Sequence, residues 1–380
     1  MTKVAAKGAD KSIEKSTWVV KIGSAMITND GQGVDASRIH HWCEQISALQ
    51  ACGIDVVVVS SGAVAEGMKL LNWNERPQFL NELQAAASVG QSALVNAWMQ
   101  GFMPFNLNVG QILLTHEDAA ERKRYLNIKN TINTLLNYKA IPIINENDTI
   151  SFSEIKFGDN DTLGALVSSL IEADVYIILT DQEGVYDSDP RKNPDAKMIH
   201  EADAHDERLL GMVTSEGGRF GTGGMYTKIM ASHIAATSGT TTYIVKGDRD
   251  NALLDIANGK HVGTKLNADG NKVAAKKRWI LGQKQIKGHI VVDDGAVKAL
   301  LEDGKSLLPI GVISVDGAFD RGDIIVCMDK AGNEIGRGLT NYHALEVESI
   351  LQTPSHEIAK KLGYIIADEL IHRNNWVETQ

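Results

Sequence analysis

The stretches TWVVKIG at residues 17–23 and DVVVVSSG at residues 55–62 decide the fold class of this chain. Each is a short run rich in β-branched residues that ends in glycine, which is typical of a buried parallel strand. Residues 36–52 between them, and residues 81–102 after them, have the spacing of helices. This alternation predicts an α/β fold, with a mostly parallel sheet sandwiched between helices.

The alternation of strands and helices continues to about residue 245. Further strands are predicted at 110–115, 141–145, 175–180 and 241–245, and further helices at 118–138, 161–172 and 226–238.

Beyond about Gly282 the pattern changes to short strands separated by turns, which predicts a smaller, mainly β domain. These strands are expected at His289–Val292, Leu308–Val315, Asp323–Cys327 and Glu334–Leu339. The predicted organisation is a disordered extension at 1–16, an α/β domain at 17–270, a linker at 271–287, a mainly β domain at 288–368 and a C-terminal tail at 369–380.

Composition excludes several classes of protein. The 380 residues carry a formal net charge of -10, which disfavours nonspecific binding to nucleic acid or anionic lipid. No run approaches a membrane span, and the Lys-rich start lacks the apolar segment of a secretory signal. Cys43, Cys52 and Cys327 have neither CxxC nor zinc-site spacing, so we expect free thiols in a reducing, cytoplasmic compartment.

The candidate binding residues lie where the predicted strands end, because ligands of open parallel sheets bind beyond the carboxyl ends of the strands. Lys21 lies inside an apolar strand, where an ammonium group is costly to bury unless an anion pairs with it. Either a ligand phosphate or a structural carboxylate would serve as this anion, unless the side chain points to an exposed face. Gly23 and Gly62 would let backbone N–H groups approach phosphate oxygens, although a tight turn is the favoured explanation for either glycine taken alone.

Two further polar segments each precede a predicted helix. The glycine-rich stretch Gly217–Lys228 is neither a Walker A motif nor a GxGxxG fingerprint. It fits either a phosphate cover that places Lys228 in the first helical turn or a mobile surface loop. In Gly158–Asp161, Asp159 or Asp161 is either a helix N-cap or a carboxylate that orients the two lysines.

Other common catalytic signatures are absent from the sequence. The HRD and DFG motifs of protein kinases do not occur, nor do G-x-S-x-G or HExxH. The eleven histidines show no metal-ligand spacing, so no metal-ligating residues are predicted.

Taken together and in order, the motifs resemble the amino acid kinase family, and within it the members that phosphorylate L-glutamate. The resemblance continues through KRWI at 277–280 into a C-terminal part that is similar to a PUA domain, with VDDGA at 292–296 and SLLP at 306–309. The motifs that carry it in the first domain are Val19–Gly23, Ser60–Ala63, Ile144–Asp148, Gly158–Asp161, Thr180–Asp181 and Gly221–Lys228.

The resemblance implies a reaction and its partners. ATP with Mg²⁺ would donate its γ-phosphoryl group to the side-chain carboxylate of L-glutamate, giving γ-glutamyl phosphate and ADP in the first step of proline biosynthesis. It also implies feedback inhibition by proline at or beside the glutamate site, and a homo-oligomer.

The resemblance further implies residue roles. Lys21 and Lys228 match the lysines that stabilise the transferring phosphoryl group, and Asp161 matches the carboxylate that orients them. Ser24-Ala25 departs from the usual Thr-Ser, so a phosphate-facing hydroxyl is missing at position 25. The glutamate-binding positions are matched by Ser61, Asp148 and Asn160. The nucleotide-binding positions are matched by Lys21, Gly23, Thr180, Asp181, Thr222, Gly223, Gly224, Met225, Tyr226, Thr227 and Lys228.

Three alternatives remain at this stage. Acetylglutamate, aspartate and nucleoside monophosphate kinases share the family, but residues 145–148 and 158–161 and the appended β domain favour the glutamate enzymes. RNA binding, which is common in PUA-like domains, is disfavoured because residues 288–380 carry 8 Lys and Arg against 15 Asp and Glu. A noncatalytic amino-acid sensor does not explain both lysines and Asp161.

Overall fold

The computed structural model of the chain describes residues 16–28, 33–115, 117–118, 121–150, 159–214, 224–268, 280–281 and 286–379. These residues form two compact units. The first unit comprises the described residues up to 119 and from 128 to 269. The second unit comprises the described residues at 120–127 and from 270 onwards. Most of the predicted extension and linker lies outside the described residues, so both boundaries stay predictions.

The first unit alternates strands and helices along the chain. Its strands are β1 Ser16–Ile22, β2 Ile54–Ser60, β3 Val109–Leu114, β4 Ile141–Glu146, β5 Val175–Thr180, β6 Val185–Tyr186, β7 Met198–Ile199, β8 Glu201–Asp203, β9 Thr241–Lys246 and β10 Thr264–Asn267. The described helices are α1 Ser24–Ile27, α2 Ala36–Ala51, α3 Ala63–Leu70, α4 Leu80–Phe102, α5 Arg122–Asn137, α6 Asp159–Ile171, α7 Glu207–Thr214, α8 Gly224–Thr237 and α9 Ala252–Ala257. Helix α5 begins in the range that is grouped with the second unit.

The described strands of this unit form an eight-stranded sheet in the order β3-β4-β2-β1-β5-β9-β10-β8. Neighbouring strands run parallel except for β9 and β10. The central strand β2 is buried along its whole length, which explains its unbroken valine run, since a parallel strand covered on both faces needs apolar side chains throughout. The predicted fold class is confirmed.

Helices pack against the sheet, and alternate residues of each strand face its two opposite sides. Trp42 of α2 and Trp98 of α4 lie fully buried in one core cluster with alternate residues of β1 and β2. Helix α6 packs against β1 and against α8. Because successive strand residues point to opposite faces, Lys21 and its neighbour Ile22 face opposite sides of the sheet.

Helices α3 and α4 approach each other backbone to backbone. A Cβ atom at Gly67 of α3 would collide with the backbone oxygen of Ala86, and one at Gly90 of α4 would collide with the backbone oxygen of Ala63. Only glycine permits this approach, so the depth of α4 against the first turns of α3 is fixed by these two positions.

The second unit is a smaller mixed structure around its own core. Its described strands form a five-stranded sheet in the order β12-β11-β13-β14-β15, in which only β11 and β13 pair in parallel. The elements are β11 Gly288–Val292, α10 Asp294–Leu301, β12 Val312–Gly317, β13 Ile324–Met328, β14 Glu334–Leu339, α11 Ala344–Ser349, α12 Ile358–Leu362 and β15 Trp376–Glu378.

The structure differs from the sequence interpretation at two places in this unit. Residues 369–380, predicted as a tail, include β15, which pairs with β14, and Leu370, Ile371 and Trp376 are buried in the core. The polar run HRNN at 372–375 separates these apolar residues and hides their pattern. The strand predicted from Leu308 begins at Val312, because Pro309 starts a short 3-10 helix and has no N–H to give a strand.

Candidate active site

A cavity lies at the carboxyl ends of the four adjacent strands β4, β2, β1 and β5, where open parallel sheets bind ligands. Its volume of about 360 Å³ falls in the range typical of small-molecule sites. Each strand contributes residues at or just beyond its end. These are Asn145 and Glu146 from β4, Ser61 and Gly62 from β2, Lys21 and Gly23 from β1, and Thr180 and Asp181 from β5.

Two lysines and one aspartate form a buried ionic cluster in this cavity. Lys21 Nζ lies 2.5 Å from Asp161 Oδ1, and Lys228 Nζ lies 3.1 Å from Asp161 Oδ2. Lys21 is 4% exposed, Lys228 is 8% exposed and Asp161 is fully buried. Buried charges are tolerated when they are paired, and here one carboxylate pairs with two ammonium groups. The described residues of the cluster therefore hold an excess positive charge beside the cavity.

Burial and charge act against each other on the titration of this cluster. Burial alone would raise the pKa of Asp161, but the ammonium groups of Lys21 and Lys228 outweigh it, and the pKa of Asp161 is lowered. Burial is also the largest influence on Lys21, whose pKa is lowered despite the attraction of Asp161. Asp161 is therefore ionised at neutral pH, and Lys21 loses its proton more readily than an exposed lysine.

Local structure holds Asp161 from several sides. It lies in the first turn of α6, where the Tyr176 hydroxyl donates to its backbone oxygen at 2.8 Å. Thr227, beside Lys228 in the first turn of α8, donates its hydroxyl to Asp161 Oδ2 at 2.8 Å. The sequence left open whether Asp161 caps a helix or orients the lysines, and these contacts favour the second interpretation.

A row of hydroxyl and amide groups lines another part of the cavity. Asn160 Nδ2 donates to Ser61 Oγ at 2.8 Å and to Asn145 Oδ1 at 3.1 Å. Asp148, from the segment after β4, also lines the cavity. The polar groups at this part of the cavity are those that would recognise an amino acid by its ammonium and carboxylate ends.

The two glycines predicted to approach a ligand differ in their backbone. Gly62 has φ of 105°, and a Cβ there would meet Ile27 Cγ2 at 2.6 Å, so a side chain is excluded by conformation and by space. Gly62 is the N-cap residue of α3, and no side-chain hydrogen bond caps this end of the helix. The first residues of α3 line the cavity. Gly23 has an ordinary φ of -68°, so its backbone alone does not require glycine.

Comparison with known proteins agrees with this geometry. Residues 16–246 match the amino acid kinase family, and residues 288–362 match the PUA domain. The chain is 50% identical over 368 residues to a glutamate 5-kinase of Pseudomonas paraeruginosa, covering 97% of this chain and 99% of that one. It is 51% identical over 359 residues to a glutamate 5-kinase of Chromobacterium violaceum, covering 94% and 96%. This chain belongs to the amino acid kinase family, in its glutamate 5-kinase branch.

A solved structure supports the amino acid kinase fold. Carbamate kinase from Giardia lamblia bound to AMP-PNP has a TM-score of 0.50 at 19% identity, and the match covers 68% of this chain and 100% of that one. At this identity the likeness concerns the fold alone. The prediction of a kinase with an appended PUA domain is confirmed by the family matches.

Most of the predicted site residues come together in the cavity. Met225 and Tyr226 do not line it, and Thr222 and Gly223 lie outside the described residues. The predicted residues that line it are Lys21, Gly23, Ser61, Asp148, Asn160, Asp161, Thr180, Asp181, Gly224, Thr227 and Lys228.

Sequence reasoning gave no role to three polar residues of the cavity wall, which are Asn145, Glu146 and Arg76. Asn145 and Glu146 belong to a segment that was singled out, yet only Asp148 received a role, although the same polar strand end marks all three. Arg76, from the segment between α3 and α4, also lines the cavity and carries no motif that would mark it.

Within the described part of the chain, no group of three or more His, Cys, Asp and Glu side chains is arranged to hold a metal ion. The helices described here also include none with the length and apolar character needed to cross a membrane.

Proposed function

We propose that this chain transfers the γ-phosphoryl group of ATP to the side-chain carboxylate of L-glutamate, giving γ-glutamyl phosphate and ADP, the first step of proline biosynthesis. The observation that carries the proposal is the buried cluster of Lys21, Asp161 and Lys228 in the same cavity as Ser61 and Asn160. The similarity to curated glutamate 5-kinases over nearly the whole chain supports this choice among the family's substrates.

In this reaction the lysines neutralise charge that develops on the phosphoryl group. Negative charge spreads over its oxygens and the bridging oxygen as the bond to ADP breaks, and positioned cations stabilise that distribution. Asp161 fixes both Nζ atoms relative to each other, so neither lysine has to reorganise during transfer. Positioning and charge then supply the catalysis without a covalent enzyme intermediate.

The opposite charges of glutamate match the remaining polar groups. The carboxylate of Asp148 would pair with the α-ammonium group, while Ser61 and Asn160 would hold glutamate through hydrogen bonds. The side-chain carboxylate is thereby presented to the lysine cluster.

The nucleotide would lie along Gly23, Thr180, Asp181, Gly224 and Thr227, which line the cavity beside the lysines. Lys21 and Lys228 would contact its transferring phosphate. Magnesium would arrive as the complex with ATP, because Mg²⁺ in kinases is held largely by substrate phosphates. Roles for Thr222, Gly223, Met225 and Tyr226 stay predictions from the resemblance.

Three further properties belong to this proposal. Proline, which shares a carboxylate and an ammonium group with glutamate, would inhibit at or beside the glutamate site, and the protein would act as a homo-oligomer. A cytoplasmic location fits the free thiols of Cys43, Cys52 and Cys327, since free thiols persist in reducing compartments.

The test is an ATP-dependent assay that traps the acyl phosphate with hydroxylamine. L-Glutamate should support hydroxamate formation, and omission of glutamate or ATP should abolish it. Efficient hydroxamate formation with N-acetylglutamate or aspartate, but not with glutamate, would assign the chain to a rival member of the family.

A further inference from the structure

Gln91 lies on α4 and does not line the cavity, yet its side chain is hydrogen-bonded to a residue that does. Gln91 Oε1 accepts from Asn145 Nδ2 at 2.8 Å. Nothing in the proposed mechanism uses this contact. Its position raises the question of what it contributes to the neighbouring amide and hydroxyl groups.

The amide group of Asn145 is held at both ends. Its Oδ1 accepts from the backbone N–H of Glu146 at 2.9 Å, and its Nδ2 donates to Gln91. A backbone N–H can only donate, so the oxygen of Asn145 must face Glu146. With one contact the amide group could still swing about its anchor, whereas two contacts at opposite ends fix its direction.

The fixed amide of Asn145 contributes to the direction of the next groups in turn. Its Oδ1 also accepts from Asn160 Nδ2 at 3.1 Å, and the same nitrogen donates to Ser61 Oγ and, at 3.4 Å, to the backbone oxygen of Ser60, so the nitrogen of Asn160 faces these three acceptors. Ser61 Oγ accepts at 2.8 Å and therefore keeps its own proton to donate elsewhere. Asn160 Oδ1 is buried and has no hydrogen-bond partner among the described residues.

With these directions fixed, one hydrogen-bond donor and one hydrogen-bond acceptor are left for a ligand. The Ser61 hydroxyl is left as a donor, which suits a carboxylate oxygen of a ligand. Asn160 Oδ1 is left as an acceptor, which suits an ammonium group and would relieve a buried oxygen without a partner. A reversed Asn160 amide would exchange these properties.

The helix that bears Gln91 is itself rigidly placed against the cavity. Gly90 allows the backbone contact of α4 with Ala63, as described for the fold. Two turns further along α4, Trp98 Nε1 donates to Ser60 Oγ at 2.9 Å, at the end of β2. Gln91 therefore reaches Asn145 from a helix held on both sides.

We infer that Gln91 is a positioning residue that, through Asn145, orients Asn160 and Ser61 to recognise the ammonium and carboxylate groups of the amino-acid substrate. The inference rests on the proposed function for the identity of that substrate. Gln91 touches neither reactant, so its effect should fall on substrate recognition and not on phosphoryl transfer.

The experiment compares Gln91→Met, which has similar size but lacks the amide acceptor, with Gln91→Glu, which keeps an acceptor oxygen. Gln91 Nε2 has no hydrogen-bond partner among the described residues, so Gln91→Glu removes no described contact. Gln100→Met, on the exposed part of α4, is the matched control. Gln91→Met should raise the KM for glutamate roughly tenfold with little change in kcat or the KM for ATP. Gln91→Glu and Gln100→Met should stay within about threefold of the parent chain.

Glutarate, which lacks the α-ammonium group, separates orientation from general damage. The rise in KM caused by Gln91→Met should be smaller for glutarate than for glutamate, because glutarate offers no ammonium group from which Asn160 Oδ1 could accept a hydrogen bond. An equal rise for both substrates, a loss of kcat in parallel, or no effect of Gln91→Met would each overturn the inference.

A measurement without turnover distinguishes this inference from the proposed function. If the parent chain neither bound nor phosphorylated glutamate, the proposed function would fail, and hydrogen exchange of the Asn145 side-chain amide would decide on the role of Gln91. Slow exchange in the parent chain and in Gln91→Glu, with faster exchange in Gln91→Met, supports the positioning role. Equal exchange in all three chains contradicts it.

Discussion

Each unit of the molecule buries a carboxylate, and the two carboxylates have different partners. Glu346 of the second unit is 6% exposed and accepts from the backbone N–H of His343 at 2.9 Å, three residues before it. This reciprocal capping box, together with the hydroxyl of Tyr364, ties Glu346 to the start of α11. Asp161 instead pairs with lysines from a distant strand and a distant helix, beside a cavity.

The difference shows how a buried charge is to be interpreted. A carboxylate that accepts from the N-terminus of its own helix and from a neutral hydroxyl stabilises local structure, whereas one that holds two distant cations at the carboxyl ends of parallel strands indicates chemistry. Burial alone does not separate these cases. The variants below test the distinction, beginning with the largest expected effect.

The comparison predicts that loss of the Asp161 charge lowers kcat strongly. Asp161→Asn, Lys21→Ala and Lys228→Ala should each lower kcat by roughly 10² to 10³, since a preorganised charge is removed. The double change Lys21→Ala with Lys228→Ala should cost less than the two single effects combined, because the groups act as a unit. Steady-state kinetics with circular dichroism as a folding check measures this.

Lys260→Ala is the matched control, because the exposed Lys260 pairs with Asp255 outside the cavity and its loss should leave kcat unchanged. If Lys228→Ala kept a normal kcat and raised only the KM for ATP, Lys228 would be a ground-state nucleotide contact, and the catalytic unit would be wrong.

The lowered pKa of Lys21 sharpens the same distinction through pH. Burial lowers this pKa, so kcat/KM for ATP should fall on the alkaline side at a pH below about 10.4, the ordinary lysine value. The loss approaches about tenfold per pH unit. For Lys21 alone the folded chain releases the proton before the unfolded chain, so its contribution to stability rises with pH while activity falls.

A pH series of kcat/KM together with denaturant unfolding separates activity from stability. An alkaline limb at or above the ordinary lysine value would show that Lys21 is not the group whose protonation limits activity.

Glu346 should give the opposite result to Asp161. Glu346→Ala removes the capping box and the acceptor of Tyr364, so it should lower the free energy of unfolding by about 1–2 kcal/mol while kcat stays unchanged. Denaturant unfolding and the hydroxamate assay measure the two quantities. A large fall in kcat in a folded protein would break the comparison, because it would give the second unit a catalytic role.

The smallest effect is expected from removal of the second unit. A chain that ends near Gly282, within the linker predicted from sequence, should keep measurable kinase activity, because every described residue that lines the cavity belongs to the first unit. The hydroxamate assay on the truncated chain tests this. Complete unfolding would show that the first unit depends on the second.

The sequence marks the residues of the buried ionic cluster because polar residues at strand and helix ends interrupt strong apolar patterns. Lys21 stands out within a valine-rich strand, and Asp161 and Lys228 each lie in the first turn of a predicted helix. Strands of two or three residues, such as β6 and β15, are too short to show a period. The turn α1 and the strand β10, which pairs antiparallel with β9, are also very short, and neither was predicted.

The residues missed at or near the site were missed for two other reasons. Gln91 and Arg76 lie at positions whose relation to the cavity depends on how α3 and α4 pack, and sequence spacing does not reveal that packing. Gln91 is one polar residue on a long helix, and Arg76 lies in a segment without periodicity. Asn145 and Glu146 were visible as a polar strand end, but only the structure shows that they line the cavity.

The distribution of the three thiols has a practical consequence. Cys43 and Cys327 are buried, and burial raises the pKa of both thiols, so neither forms the reactive thiolate readily. Cys52 follows α2 and is exposed. A maleimide dye added to the native protein should therefore attach at a single position, which provides a handle for following the protein by fluorescence without engineering its cysteines.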